Sequence, residues 1–380
     1  MTPRTLNTPE TPFAVVDQER VQRNIDRLRD HLARLDVPLR LHVKTAKSLE
    51  VASRVFPNGP GPITVSTLAE AEYFAAHGYR DILYAVGIAP HRLDRVIALR
   101  RHNVDLVVLV DSAYQAAAVA AASRRSDDRI PALIEVDCDG HRGGIAANSP
   151  ELITIARKLT SEGAQLLGVL AHAGESYFSP TPEQRQIDAT VERATVADAA
   201  SFLSAAGFPC VVVSSGSTPT AHALDSAAGI TEVRAGNFVF FDLVMAGIGV
   251  CSIEDLALSV VVTVIGHQPD KGWIITDGGW TATSRDRGTQ KQAIDQGYGL
   301  VATLNGDVVP DLLMSNASQE HGVLSMRPGS QGGLPPIEIG TRLRILPNHA
   351  CATGAQHDRY EVVSGAGNDI VDTWARIRGW

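Results

Sequence analysis

The sequence predicts a (β/α)8 barrel followed by a mostly antiparallel β-domain. Three observations carry that prediction. Before residue 245, eight short β-branched runs alternate with longer segments of helical spacing. The runs are almost continuously apolar, as in DLVVLV and CVVVSS, which suits parallel strands buried on both faces. After about residue 245 helical spacing nearly vanishes, and strand-like runs separated by Gly, Pro and Asp turns replace it. A doubly wound open sheet would alternate in the same way, but the count of eight favours the barrel.

The first helix is marked by Val21, Ile25, Leu28, Leu32 and Leu35 at i+3 and i+4 spacing, with Asp17 as its N-cap. The barrel strands are expected at Leu39–Lys44, Ile63–Ser66, Ile82–Val86, Asp105–Val110, Ala132–Asp137, Leu167–His172, Val211–Ser215 and Thr231–Ala235. Helices are expected between them at Thr67–His77, Pro90–Arg101, Ser112–Ser126, Pro150–Ser161 and Pro182–Ala206. In the second domain, strands are expected at Leu256–Ile265, Trp273–Thr276, Gly299–Leu304, Gly322–Met326, Arg342–Pro347 and Tyr360–Val363. Thr11–Val16 is a further strand candidate. The domains divide as a barrel over residues 12–245 and a β-domain over 246–380 with residues 1–11.

Composition narrows the function. The chain has 380 residues, 44% hydrophobic and 20% charged, with a net charge of −8. That is a globular composition. The acidic balance and the lack of a Lys/Arg stripe point away from nucleic acid. Apolar stretches break before the ~18 residues of a membrane span, and the N-terminus lacks the apolar core of a secretion signal, so a cytoplasmic location without membrane partners is expected. Cys138, Cys210, Cys251 and Cys351 form no Cys-x-x-Cys pair. The first three sit in apolar runs and are expected to be buried small hydrophobes.

In a barrel of this kind the active site lies at the C-terminal ends of the strands. The exits of strands seven and eight, Ser-Gly216-Ser217-Thr218-Pro and Ala-Gly236-Asn237, offer small turns and hydroxyls, and together they favour a phosphate site. Lys44 leaves strand one at the same mouth. It is either a snorkelling surface residue or a desolvated amine able to form a Schiff base. A lysine with a phosphate site suggests pyridoxal phosphate (PLP), with sugar-phosphate aldolases as the competing reading. Lys47 reads as a surface charge and His42 as a satisfied polar residue of the barrel. Arg142, in a Gly-flanked turn, is placed to meet an anionic group. Tyr177 is open between packing and cofactor contact. In the β-domain, His349 and Cys351 would share one face if they lie on a strand, giving two ligands for a soft or borderline divalent metal. Spacing alone does not separate that pair from chance. His321, in SQEHG, is open between metal neighbour, proton carrier and surface residue.

Taken together, LHVKTAKS, TVSTLAEAE, DILYAVGIAP, EVDCDGHRGGI, AHAGESY, SSGSTPT, EVRAGNFVFFD, SQEHG and LPNHACAT cover nearly the whole chain. In them the sequence resembles the metal-activated PLP enzymes of the alanine-racemase-like fold, the D-serine dehydratase and D-threonine aldolase family. The resemblance implies that Lys44 carries PLP and that Gly216, Ser217, Thr218, Gly236 and Asn237 hold its phosphate. It implies that Arg142 and Tyr177 contact the ring, that His172 lines the site, and that His349 and Cys351 bind a divalent metal (Zn, Mn or Mg). It further implies a homodimer that eliminates water from a D-3-hydroxy amino acid such as D-threo-3-hydroxyaspartate or D-serine, giving a keto acid and ammonia. Retro-aldol cleavage is the nearest alternative; a racemase and a non-catalytic PLP carrier stand further off. Leu41 and Ala46 occupy positions where the family often has Pro and His, and Phe238 one where an aromatic hydroxyl is common.

Overall fold

The computed structural model describes residues 4–380. The chain separates into two compact units. One holds Arg27–Lys47 and Ala52–Gly236, with the last two residues; the other holds the chain up to Asp26, Ser48–Val51 and Asn237–Arg378.

The first unit is a closed barrel of eight parallel strands: Leu39–His42, Ile63–Val65, Asp81–Gly87, Asp105–Val110, Pro131–Asp137, Gln165–Ala171, Val212–Ser215 and Glu232–Ala235. Each strand pairs with its sequence neighbour. The ring closes where Val233 of the eighth strand registers with Leu39 of the first. All eight expected strands are present. Leu83, Val107, Leu109, Leu133 and Leu170 form one buried cluster of this unit. Side chains cap the starts of three helices: Ser112, Ser149 and Thr181 accept N-cap bonds from Gln115, Glu151 and Gln184. Leu49–Val55 is a short helix that was not foreseen, and Pro219 opens a second, Thr218–Ala223, after the seventh strand.

The second unit is a nine-stranded sheet. Phe13–Asp17 belongs to it, antiparallel to Leu258–Gln268 and parallel to Arg359–Val363. The expected domain start at residue 12 therefore shifts: this strand buries Val15 in the β-domain's own cluster with Leu6, Val261 and Val363. Asp17 then caps the first helix, Gln18–Arg34, accepting from Glu19 N–H at 2.9 Å. Val260, Val262, Ile274, Val301, Leu312, Leu324 and Ile345 fill the main core. Two strands escaped the sequence reading, Val308–Ala317 and Asp372–Ala375. Among the described residues no helix is long and apolar enough to cross a membrane.

None of the four cysteines forms a disulfide and each is only half-buried, which corrects the expectation that three of them are buried small hydrophobes.

Candidate active site

Lys44 lies two residues past the end of the first barrel strand and is half-buried. His42, two residues earlier, is held well below the ordinary histidine pKa by burial, then by the positive charges of Lys44 and Arg234. His172 follows the sixth strand, and its Nδ1–H donates to Gly216 O at 3.1 Å. Burial first, then Lys44 and Arg234, lower its pKa to about 3 against that hydrogen bond. Both rings are therefore neutral beside the lysine at neutral pH. Tyr177 stands beside His172, with ring centroids 6.4 Å apart.

The turns after strands seven and eight are built for close approach. Gly216 has φ +136°, and a Cβ there would lie 2.3 Å from Arg234 O. A Cβ on Gly236 would lie 2.5 Å from His42 O. Much of the expected phosphate loop is already braced. The carboxylate of Glu192, 1% exposed, accepts from Gly216 N–H at 3.1 Å, Ala173 N–H at 2.8 Å and Thr220 Oγ1–H at 2.6 Å. Ser217 N–H donates to Thr220 Oγ1, and the Ser217 hydroxyl lies 2.9 Å from that of Ser176. Burial raises the Glu192 pKa, opposed by these bonds and by Arg234. Arg234, also buried, donates to Ser214 Oγ and Ala171 O.

Arg142 is mostly exposed and donates to Glu135 at 3.2 Å. Lys47 is not a surface charge: its Nζ pairs with the buried Glu70 at 2.7 Å. Lys47 takes a left-handed backbone, φ +48°, in the turn after strand one, and its expected exposure fails because its charge is met by that buried carboxylate.

The His349/Cys351 motif does not lie on a strand, as the sequence suggested. The strand ends at Pro347, and His349 is the N-cap of a short helix, Ala350–Gly354. The two side chains still meet, since the Cys351 thiol hydrogen-bonds the ring. His349 Nδ1–H donates to Asp286 Oδ2 at 2.6 Å. Burial opposes charge on His349, but Cys351, Asp286 and Asp242 push its pKa up to about 11. Among the described residues no third His, Cys, Asp or Glu completes a ligand group. An imidazole and a thiol, with the other ring nitrogen fixed by a carboxylate, form a donor set suited to an open divalent site.

Asn237 commits its amide to Asp242, Nδ2 to Oδ2 at 2.6 Å, and its Oδ1 is buried without a hydrogen-bond partner. Asp242 also accepts from Ala350 N–H at 2.9 Å. Burial raises its pKa, against the pull of His349. His321 is exposed in the turn before Gly322–Met326, where its carbonyl accepts from Ser318 N–H. Asp242, Asp286, Glu192 and Arg234 were not singled out from sequence. Asp242 lies within the EVRAGNFVFFD motif, but no spacing signals its role.

The chain is similar to known proteins over nearly its whole length. Residues 16–244 match the family model "Alanine racemase, N-terminal domain", and residues 257–363 match "Putative serine dehydratase domain". The chain is 52% identical to the D-threo-3-hydroxyaspartate dehydratase of Delftia sp. (strain HT23), over 99% of both chains. It is 27% identical to a D-serine dehydratase of Dictyostelium discoideum, over 99% of this chain and 98% of that one. A solved D-threo-3-hydroxyaspartate dehydratase, a cysteine-to-alanine variant in its metal-free form, superposes with a TM-score of 0.96 at 52% identity, covering 99% of this chain and 100% of the other. The chain belongs to the alanine-racemase-like family of D-hydroxyamino-acid dehydratases.

Proposed function

We propose that the protein is a PLP- and divalent-metal-dependent dehydratase that converts a D-3-hydroxy amino acid, such as D-threo-3-hydroxyaspartate or D-serine, to a keto acid and ammonia. The observation that carries the reading is the His349/Cys351 pair with Nδ1 fixed by Asp286, set in a chain that also presents Lys44 at a barrel mouth. The cysteine-to-alanine relative in a metal-free form supports a cysteine ligand.

The residues present fit both groups. Lys44 would hold PLP; the close-approach turns at Gly216, Ser217, Thr218, Gly236 and Asn237 would take its phosphate; and His349 and Cys351 would hold the metal. The Asn237 amide is spent on Asp242, so its part would fall to its backbone. When bound, PLP supplies an electron sink at Cα, and the metal supplies Lewis acidity to a departing hydroxide.

The chain's own residues do the rest. The Lys44 amine, once free, takes the Cα proton. His42 and His172 are neutral beside that amine. Tyr177 and His172 line the site, and Arg142 offers a guanidinium to an anionic group. Metal identity follows the donor set: nitrogen and sulfur favour Zn over Mn or Mg. We also read the protein as a cytoplasmic homodimer, which light scattering on the purified protein tests.

The competing reaction is retro-aldol cleavage, which would use the same groups. The soft thiol ligand of Cys351 favours elimination over an alkoxide-stabilising role. Product analysis separates the two. With D-threo-3-hydroxyaspartate, equimolar keto acid and ammonia support the dehydratase. Glycine with an aldehyde or keto acid fragment would assign the aldolase.

A further inference from the structure

Two candidate sites are joined by one buried carboxylate. Asp242, 1% exposed, lies five residues after Asn237 and just before the short helix Leu243–Gly247. Its Oδ1 accepts from Met245 N–H at 3.0 Å and so caps that helix. Its Oδ2 accepts two bonds that do not belong to the cap: Asn237 Nδ2–H at 2.6 Å and Ala350 N–H at 2.9 Å. Asn237 sits in the turn proposed to hold a phosphate, and Ala350 stands between His349 and Cys351.

A second strap runs alongside the first. Val244 N–H donates to Asn348 O at 3.2 Å. Asn348 is itself 2% exposed and fully engaged: its Oδ1 accepts from Thr289 N–H and Oγ1–H, and its Nδ2 donates to Gly297 O. The residues on both sides of His349 are therefore tied to the segment that starts at Asn237. The two bonds to Oδ2 share one oxygen in a water-excluded setting, so a shift of either donor changes the bond to the other.

We propose that Asp242 is a positioning residue that couples the metal pair to the phosphate-holding turn, so that filling one site tightens the other. The inference rests on the PLP and metal reading given above. Fixing His349 and Cys351 on a metal holds Ala350 N–H in place. That holds Oδ2, and Oδ2 holds Asn237. Thermodynamic linkage makes the effect reciprocal.

The test uses the full chain freed of cofactor and metal, with PLP and Zn as probes. PLP affinity is read by absorbance titration with and without Zn. Zn affinity is read by competition with a chromophoric chelator, with and without PLP. The native protein is expected to bind PLP at least about fivefold more tightly with Zn present, with the same factor for Zn when PLP is present. In Asp242→Asn and in Asn237→Ala, which cuts only one of the two bonds, both ligands should still bind and both factors should fall to within about twofold of unity. Native factors within about twofold of unity overturn the coupling without needing either variant. So does an Asp242→Asn protein that keeps the native factor. A native protein that binds no PLP or no Zn overturns the functional reading itself, and this inference with it.

Discussion

His349 donates its Nδ1–H to Asp286 at 2.6 Å, and the ring's other nitrogen stands beside the Cys351 thiol. A carboxylate behind a ligating imidazole fixes its tautomer and raises its basicity. Asp286→Ala should therefore lower metal affinity about 10–100-fold while leaving PLP absorbance in place. Chelator competition checks the first effect and the visible spectrum the second. Unchanged metal affinity would remove Asp286 from the account.

Lys44 gives a second prediction. Lys44→Ala should lose the yellow colour that the native protein takes up with PLP, and should lose activity, while its thermal unfolding stays close to native because the side chain is only half-buried. Borohydride reduction of the native protein, followed by peptide mapping, should find the cofactor on Lys44. Its recovery on Lys47 would contradict the assignment.

Neutral buried histidines predict an acid-labile fold. The unfolded chain takes up protons near the ordinary histidine pKa of 6.5, whereas folded His172 resists until about 3. The folded state thus binds fewer protons in that window. Stability is full above 6.5 and falls as pH drops through that value toward 3. Between pH 7 and pH 5 one such ring costs about 2 kcal/mol. Urea unfolding at the two pH values measures it, and His172→Gln should flatten the difference. His42, shifted in the same direction, should add to the slope.

Gly236 tests the close-approach turn. A methyl group there would lie 2.5 Å from His42 O, a backbone atom that cannot swing aside. Gly236→Ala should destabilise the protein by about 2 kcal/mol or more and weaken PLP binding. A variant with native unfolding and native PLP affinity would show that the turn has room to spare.

The buried brace of the barrel mouth makes a similar prediction. Glu192→Gln keeps the side chain's shape but puts a donor against at least one of three donors, so it should lower the unfolding midpoint. Differential scanning calorimetry checks it, and an unchanged midpoint would contradict a bracing role.

The barrel strands were legible from their alternation with helices and from apolar runs such as Asp105–Val110, although Leu39–His42 and Glu232–Ala235 carry a polar residue at every second place. Val308–Ala317 was not legible. Pro310 and Asp311 interrupt its apolar pattern, Asp311 takes φ +58°, and its register with Gly322–Met326 slips between Met314 and Asn316. Phe13–Asp17 was visible as a strand candidate, but its partner Leu258–Gln268 lies far along the chain, so its domain had to come from the structure. Lys44, His172, His349 and Cys351 stood out because their chemistry is unusual for their surroundings. Glu192 looks like any polar residue of a long helix, and its partners lie 19 to 28 residues away. The helix that holds Cys351 was hidden for the same reason. Its first N–H is held by Asp242, 108 residues earlier, and no local pattern encodes that bond.

The most direct test of the account is keto-acid release from D-threo-3-hydroxyaspartate by one preparation, measured as purified, after chelation and after metal is restored. The account predicts release of keto acid with ammonia, its loss on chelation while the PLP absorbance persists, and its recovery with a divalent metal. Undiminished release from the chelated protein would contradict the role given to His349 and Cys351.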